Sequence, residues 1–283
     1  MLNNKFFLLS VALFAVSSSA WVVRALPDTS AITLAFWRMF LACTIAFIFS
    51  YKTIGHFVPT KKMELAGIFL GFHFALFFRA VQLTSIPEAA LLGTTAPVFT
   101  ELYGFIFKKR RISARVFLGM FIAFFGATVL ISQQPLNDTG LIGNFLAVLC
   151  SISMAVVLIV GKEVRKKTSV LDYTRWLFFY ASATLLFVSF FFPAIDVFSF
   201  SLKEFGWFLF LAVVPTMVGH NIFYYLIKSL SATTVAAVPL GEPVVSSVGA
   251  LFIFGEGVSF SVLAGGLITL LGVFIIIKHG EEG

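Results

Sequence analysis

The sequence has few charged residues and almost no cysteine. Only 12% of its 283 residues are Asp, Glu, Lys or Arg, whereas a soluble domain carries roughly 25%. A chain with so little charge cannot cover a surface that faces water. The two cysteines, Cys43 and Cys150, fall within apolar segments and offer neither a disulfide framework nor the spacing of metal ligands. Composition therefore excludes an ordinary soluble domain and a disulfide-rich secreted one.

Familiar catalytic and nucleotide-binding motifs are also missing. The sequence contains no HExxH zinc pair, no nucleophile elbow and no P-loop lysine. We therefore expect no catalytic residue, no metal and no cofactor. A membrane-embedded enzyme acting on lipid substrates stays an alternative, as does a structural subunit, but the clustered acids or histidines that such an enzyme needs near one leaflet are absent.

Apolar residues dominate the chain instead. They make up 59% of it, the mean hydropathy is +1.01, and 37 phenylalanines are spread along the whole length. A helix needs about 20 apolar residues to cross the hydrocarbon of a membrane. The pattern predicts an all-α membrane protein in contact with the lipid bilayer, with ten transmembrane helices. These lie near 6–26, 30–51, 63–84, 86–107, 113–132, 139–161, 172–192, 204–226, 231–253 and 258–278.

The basic residues are distributed asymmetrically between the predicted loops. Sixteen of the 20 Lys and Arg residues fall on the side of the N-terminus, and two, Arg24 and Lys203, fall on the other side. The positive-inside rule then places both termini in the cytoplasm of a multi-pass inner (plasma) membrane protein. Because topology accounts for the net charge of +7, we expect no nucleic-acid partner.

The chain repeats itself. Residues 80–131 match residues 226–277 at a constant offset of 146, so that Pro97 falls on Pro243 and Gly126 on Gly272. The boundaries of the two repeats are predicted at 1–135 and 136–283, with five helices in each. Since five is odd, the second repeat enters the membrane inverted. Inverted repeats are typical of secondary transporters, which bind a small-molecule substrate near the midplane and work by alternating access.

Glu242 is the leading candidate for a substrate-binding or coupling residue. It lies midway along the ninth predicted span in the sequence Leu240-Gly241-Glu242-Pro243. A charged side chain there costs about 2.5–3.5 kcal/mol on insertion scales, and Gly and Pro loosen the helix around it. The functional interpretation is a site for a substrate cation or a proton. The alternative is a structural partner for a buried arginine.

His73 and His220 occupy equivalent places in spans three and eight. A neutral imidazole can hydrogen-bond a substrate, and its ordinary titration range suits proton coupling. The alternative is a structural hydrogen bond between helices. Next to His220, Asn221 and Tyr224 lie on neighbouring helical faces and could form the wall of a cavity.

Two arginines also fall within spans. Arg38 and the adjacent Trp37 are further candidates for substrate binding. Arg38 either binds a carboxylate or phosphate of the substrate or plays a structural role. Arg79 either binds a carboxylate or phosphate of the substrate or snorkels towards the surface and pairs with Glu88, and we favour the second. We further expect Glu101 to pair with Lys108. Trp21 either lines a cavity or lies in an interfacial aromatic belt, and we favour the belt.

Glycines line one face of spans five and ten. Gly119 and Gly126 are seven residues apart, as are Gly265 and Gly272. Small residues allow close approach of transmembrane helices. These faces are expected to pack together within the fold or to form a homodimer.

Several short motifs resemble the EamA-type branch of the drug/metabolite transporter superfamily. In the second half they are Val214-Pro215-Thr216, Gly219-His220, Leu240-Gly241-Glu242-Pro243-Val244 and Phe254-Gly255-Glu256; in the first half they are Phe36-Trp37-Arg38, Phe72-His73-Phe74-Ala75 and Ala96-Pro97-Val98-Phe99. The first half departs from the pattern at Lys109-Arg110, where the second has Gly255-Glu256.

The resemblance covers the whole chain and implies ten spans in two inverted halves. It implies a central cavity lined mainly by spans three, four, eight and nine, onto which His73, Arg79, His220, Tyr224 and Glu242 map. It also implies an exporter of small polar metabolites such as amino acids, although some members of the family import.

Overall fold

The regular elements of the computed structural model are helices. The structure describes residues 2–51, 58–111, 113–131, 138–192, 195–255 and 260–280, and in this part of the chain ten helical rods follow one another. They are α1 (Leu2–Ala25), α2 (Ala31–Phe49), α3 (Lys61–Leu83), α4 (Ile86–Gly93 and Ala96–Lys108), α5 (Ala114–Ile131), α6 (Asp138–Val164), α7 (Val170–Ser189), α8 (Leu202–Leu226), α9 (Ala232–Phe254) and α10 (Phe260–His279).

Seven of these rods, α1–α4, α6, α8 and α9, are long and apolar enough to cross a membrane. The apolar stretches of α5 and α10, Ala114–Val129 and Leu263–His279, are shorter. The remaining rod, α7, carries Asp172 and Arg175 near its beginning. The chain is thus a multi-pass α-helical membrane protein. Ten crossings and a cytoplasmic location of both termini stay predictions.

The exterior of the bundle is apolar. Phe117, Phe121 and Phe125 on α5 are 55% to 62% exposed, and Phe274 on α10 is 50% exposed. Patches of this kind on a water-soluble monomer are rarely larger than a few hundred square ångströms. Phenylalanines that point outward along a helix instead fit contact with lipid chains, as the composition predicts.

The packing of the rods follows one pattern in both halves of the chain. The helix α3 packs against α6 and α7, and in the same way α8 packs against α1 and α2. Two further contacts, α2 with α7 and α5 with α10, join helices at equivalent places in the two halves. The core therefore lies between the halves rather than within either one.

The rods α4 and α9 cross near the points where their helices are interrupted. In α4 the interruption falls at Thr94–Thr95, just before Pro97. In α9 a 3₁₀ turn, Val238–Gly241, precedes Pro243. Proline has no N–H and crowds the preceding turn, so each interruption has a cause in the sequence. The segment Ala96–Lys108 lies against Ala232–Ala237, and Ile86–Gly93 lies against Glu242–Phe254.

The glycine faces of α5 and α10 pack against each other within one chain. A Cβ at Gly126 would overlap the backbone of Thr269 and Gly265, and one at Gly272 would overlap the backbone of Ala123 and Gly119. Packing within the fold is thus the use that the structure gives to these glycines. A homodimer stays a prediction, and it would have to use the other, phenylalanine-rich faces of the two helices.

Candidate functional site

A central cavity lies beside the interruptions of α4 and α9. Its free volume of about 50 Å³ holds on the order of four water molecules, so the helices enclose it tightly. Seven rods contribute to its wall, α1–α4, α6, α8 and α9, and α2 supplies Arg38 alone. The lining residues are Val16, Ser19, Arg38, His73, Phe74, Phe77, Gly93, Thr94, Ala96, Met154, Leu158, His220, Phe223, Val235, Ala236, Pro239 and Glu242.

Arg38 is the most deeply buried charge of the wall. Its side chain is 1% exposed, and its guanidinium carbon lies 4.0 Å from the ring centre of Phe74. Its Nε donates a hydrogen bond to Thr216 Oγ1 at 2.7 Å, and its Nη1 donates one to Ser19 Oγ at 3.1 Å. The third nitrogen, Nη2, is buried and has no hydrogen-bond partner among the described residues.

The sequence around Pro215 explains how Thr216 comes to hold Arg38. Residues Ala212–His220 form a π-helical segment of α8, a feature that often occurs at functional sites. In an α-helix the N–H of residue 215 would bond to the carbonyl of Leu211, but proline has no N–H. The Thr216 hydroxyl donates to that carbonyl instead, at 2.8 Å. With its proton engaged there, the Thr216 oxygen can accept the hydrogen bond from Arg38 Nε.

The two histidines face each other across the cavity but have different surroundings. Their ring centres are 6.5 Å apart, and each side chain is 8% exposed. His73 Nδ1 donates to the backbone carbonyl of Cys150 at 3.0 Å, which joins α3 to α6. His220 makes ring contacts with Phe74, Phe223 and Tyr224, and no hydrogen bond of its side chain is found within the described ranges. His73 thus forms a structural hydrogen bond between helices, as in the alternative interpretation, and His220 does not among the described residues.

Glu242 begins the second helical piece of α9 and lines the cavity. Its carboxylate forms neither an ion pair within 4.0 Å nor a hydrogen bond in the part of the chain that the structure describes. The alternative interpretation of Glu242 as the direct ionic partner of a buried arginine is therefore not what the structure shows. The predicted loosening of the helix before Pro243 is present as the 3₁₀ turn.

The other four candidate residues do not line this cavity. Tyr224 is fully buried behind it, with its ring 5.5 Å from that of Tyr173. The side-chain nitrogen of Asn221 lies 3.5 Å from the sulfur of Met217.

Trp37 and Arg79 lie farther from it. Trp37 donates to the carbonyl of Val197 at 2.7 Å and packs in a cluster of phenylalanines. Arg79 is exposed and donates to Gln82 at 3.3 Å. The expected Arg79–Glu88 pair is not formed, because Glu88 accepts from Thr84 and Ser85 in the capping box of α4.

Sequence reasoning missed two polar residues that position Arg38. Ser19 and Thr216 are buried and carry no charge, so the cost of placing them in a membrane did not single them out. The only signal for Thr216 is its position after Pro215, where a helix has an unbonded carbonyl. For Ser19 it is the polar stripe Ser17–Ser19 within an apolar helix.

One end of the bundle contains a wider vestibule, which we call the basic vestibule. Its free volume is about 350 Å³. It is lined by Thr100, Tyr103, Gly104, Lys108, Arg110, Ile159, Lys162, Glu163, Lys166, Ser231, Ala232 and Thr233.

Polar contacts close the basic vestibule towards the central cavity. Thr233 of α9 donates to Glu101 of α4 at 2.6 Å and lies 3.0 Å from Thr100. Glu101 also pairs with Arg110 at 2.5 Å. The prediction that Glu101 pairs with Lys108 is wrong, because Lys108 pairs with Glu163 instead, at 3.4 Å. The left-handed conformation of Lys109 turns the chain after α4 and brings Arg110 back to Glu101.

At the opposite end of the bundle, Trp21 packs against α9. A Cβ at Gly249 would overlap its indole ring, and its Nε1 donates to the carbonyl of Ser246 at 3.0 Å. Its ring fills a notch that the missing side chain of Gly249 leaves in α9. A position of Trp21 in an interfacial belt stays a prediction.

Comparison with known protein families gives the identity of the fold. The model of the EamA-like transporter family matches residues 5–132 and 141–278 of the chain. The chain belongs to the EamA-like transporter family. This membership agrees with the motifs around Pro97, His220 and Glu242, and it indicates a membrane transporter.

Relatives of this EamA-like chain carry transporter names. An uncharacterized transporter of Archaeoglobus fulgidus is 26% identical over 257 residues, which cover 91% of this chain and 90% of the relative. The S-adenosylmethionine uptake transporter of Rickettsia felis is 27% identical and covers 88% of this chain and 83% of its own. A crystal structure with 12% identity superposes with a TM-score of 0.80 over 99% of both chains, which shows the shared fold alone.

Proposed function

We propose that this EamA-like protein is a secondary-active transporter that exports small polar metabolites such as amino acids by alternating access. The observation that carries the proposal is the central cavity, in which the buried Arg38, the two histidines and Glu242 converge from both halves of the chain. Buried charged groups in a membrane segment are costly and mark substrate or ion pathways by default. The broken helices α4 and α9 at this place are typical of transporter binding sites.

The proposed architecture is ten spans in two inverted repeats, residues 1–135 and 136–283, with both termini in the cytoplasm of the inner membrane. The pairing of α3 with α6 and α8 with α1 supports it, because exchange of the two halves turns one contact into the other. The interruptions before Pro97 and Pro243 support it too, since they occupy equivalent positions in the two repeats.

Alternating access is supported by the difference between the two ends of the bundle. Trp21 packs tightly against α9 at one end. At the other end the basic vestibule is wide, and the Thr100–Thr233–Glu101 contacts separate it from the central cavity. In this proposal the positive-inside rule makes the basic vestibule the cytoplasmic entrance. In this proposal the structure represents a state close to inward-facing, in which the cavity is occluded.

We further propose that transport is coupled to protons. His220 and Glu242 line the cavity and have no direct partner in the described part of the chain. In water, side chains of these two types titrate near or below neutral pH. His73 lines the cavity as well but already bonds to a carbonyl. Arg38 lines the same cavity as these three residues.

Import, the opposite direction of transport, is also supported by one observation. The relative from Rickettsia felis is named an uptake transporter, so import is the alternative to export. Purified protein reconstituted into proteoliposomes tests both, with a proton gradient imposed in either orientation and labelled amino acids followed. Gradient-dependent flux supports the proposed function, and its direction relative to the proton gradient separates export from import. A protein that moves none of a broad metabolite mixture would refute it.

A further inference from the structure

Arg38 and Glu242 have opposite charges and line the same cavity, yet they form no ion pair. Their charged atoms are more than 4.0 Å apart, although each lies within electrostatic range of the other. Buried charges usually pair, because an isolated charge in a medium of low dielectric constant is strongly disfavoured. The separation of these two groups therefore needs a physical reason.

The contacts of Arg38 supply that reason. Its guanidinium is held by Thr216, Ser19 and the ring of Phe74. All three partners are uncharged, so they fix the position of the cation without neutralising it. The held position leaves Nη2 buried and without a partner in the described residues. An anionic group of a ligand would complete the set of hydrogen bonds that the protein leaves unfinished.

Glu242, on another helix of the cavity wall, likewise has no direct partner among the described residues. Its carboxylate belongs to α9, whereas Arg38 belongs to α2, and the free space of the cavity is lined by both. The remaining wall is largely apolar and aromatic, with Phe77 and Phe223 among its members. A ligand that fits must therefore bring an anion to one end and a cation to the other, with little polar surface between them.

We propose that the ligand is a small zwitterion whose carboxylate binds Arg38 Nη2 and whose ammonium group binds Glu242. The proposal rests on the proposed function and names the charges that its substrate carries. The planar guanidinium matches the geometry of a carboxylate. A ligand with only an anion would leave Glu242 unpaired, and one with only a cation would leave Arg38 unpaired, so both are rejected for the same reason. The tight cavity favours ligands with short side chains.

Matched ligands test the proposal on the unaltered protein. The probes are glycine, L-alanine and L-serine, and binding to the purified full-length chain is measured by thermal shift and calorimetry. Each probe is compared with its methyl ester, which lacks the carboxylate, and with glycolate, L-lactate or L-glycerate, which lack the amine. We expect at least one zwitterion to bind and both of its analogues to bind about tenfold more weakly or worse. Equal binding of either analogue would overturn the proposal.

Two variants assign the charges to their partners. Glu242→Gln should weaken binding of the zwitterion about tenfold and change binding of the hydroxy acid by no more than about twofold. Arg38→Lys keeps the positive charge but removes Nη2, and it should weaken the zwitterion while leaving the methyl ester unchanged. The exposed residues Glu64 and Arg111 provide the control variants Glu64→Gln and Arg111→Gln. If Glu242→Gln weakens the hydroxy acid as much as the zwitterion, the assignment is wrong.

The outcome separates this inference from the proposed function. If no probe binds but the protein carries another metabolite along a gradient, the transporter stands and the small zwitterion is refuted. If a methyl ester or a hydroxy acid is carried as fast as its parent amino acid, the same conclusion holds. If a probe binds as expected but the protein moves nothing in proteoliposomes, the recognition stands and the transport function fails.

Discussion

Trp21 fills a notch at Gly249 so closely that any side chain at position 249 would meet its indole ring. This contact joins α1 to α9 and closes the end of the bundle opposite the basic vestibule. Its hydrogen bond to the Ser246 carbonyl fixes the ring in place. We therefore expect the ring to act as a gate at this end of the bundle.

We expect Trp21→Ala to open that end of the cavity. Loss of the ring should make a cysteine introduced in place of Ser19 react several times faster with a membrane-impermeant thiol reagent added on that side. The native Cys43 and Cys150 are buried and should contribute little background. Trp207→Ala, which removes a partly buried tryptophan on α8, is the control. Equal reaction rates in both variants would mean that Trp21 does not gate the cavity.

Glu242→Gln should abolish transport while the protein still folds. Gln has nearly the same shape, and the Glu242 carboxylate makes no hydrogen bond or ion pair with other described residues that the change would break. The measurement is flux into proteoliposomes, with the expression level and melting temperature measured in parallel. Glu64→Gln, on the exposed part of α3, should transport normally. Flux at the wild-type rate in Glu242→Gln would exclude a role for this carboxylate.

The two histidines should respond differently to replacement by glutamine. His73→Gln removes the bond to the Cys150 carbonyl and should lower stability by about 1 kcal/mol, seen as a lower melting temperature. His220→Gln breaks no hydrogen bond found in the described residues, so it should instead flatten the pH dependence of transport. An unchanged pH profile in His220→Gln would leave this histidine without a part in proton coupling.

Gly126→Ala should destabilise the protein. The added methyl group meets the backbone of Thr269 and Gly265 on α10, and neither can move away as a side chain would. Overpacking of this kind costs about 1–3 kcal/mol, which a melting curve in detergent will detect. Gly206→Ala provides the matched control, because its Cβ would meet nothing within 4 Å. It should keep or raise the stability, since alanine favours a helix over glycine. Similar melting temperatures would contradict the packing.

The sequence predicted the positions of the ten helical rods to within a few residues. Hydropathy sufficed for this because a helix in lipid must carry an apolar run of a certain length, whatever its neighbours are. It also predicted the interruption at Glu242, since proline acts on its own helix. The repeat at offset 146 indicated which helices are equivalent.

Several side chains were assigned less well because their environment depends on distant parts of the chain. Trp21 and Gly249 are more than 200 residues apart, and nothing near either of them reveals the notch. Arg79 was assigned to the cavity by family resemblance, but it lies on the exposed face of α3. A helix turns by about 100° per residue, so a small error in the assigned face moves a side chain from the cavity to the lipid.

The sequence by itself determined that this protein lies in a membrane, that its helices repeat, and that Arg38, His73, His220 and Glu242 are costly to bury. Those properties are local, because they follow from composition, period and the cost of charge in hydrocarbon. Only the tertiary structure decided that these four residues meet at one cavity while Trp37 and Arg79 lie elsewhere. It also decided that Arg38 and Glu242 stay apart, because Ser19, Thr216 and Phe74, from three other helices, fix the arginine in its place.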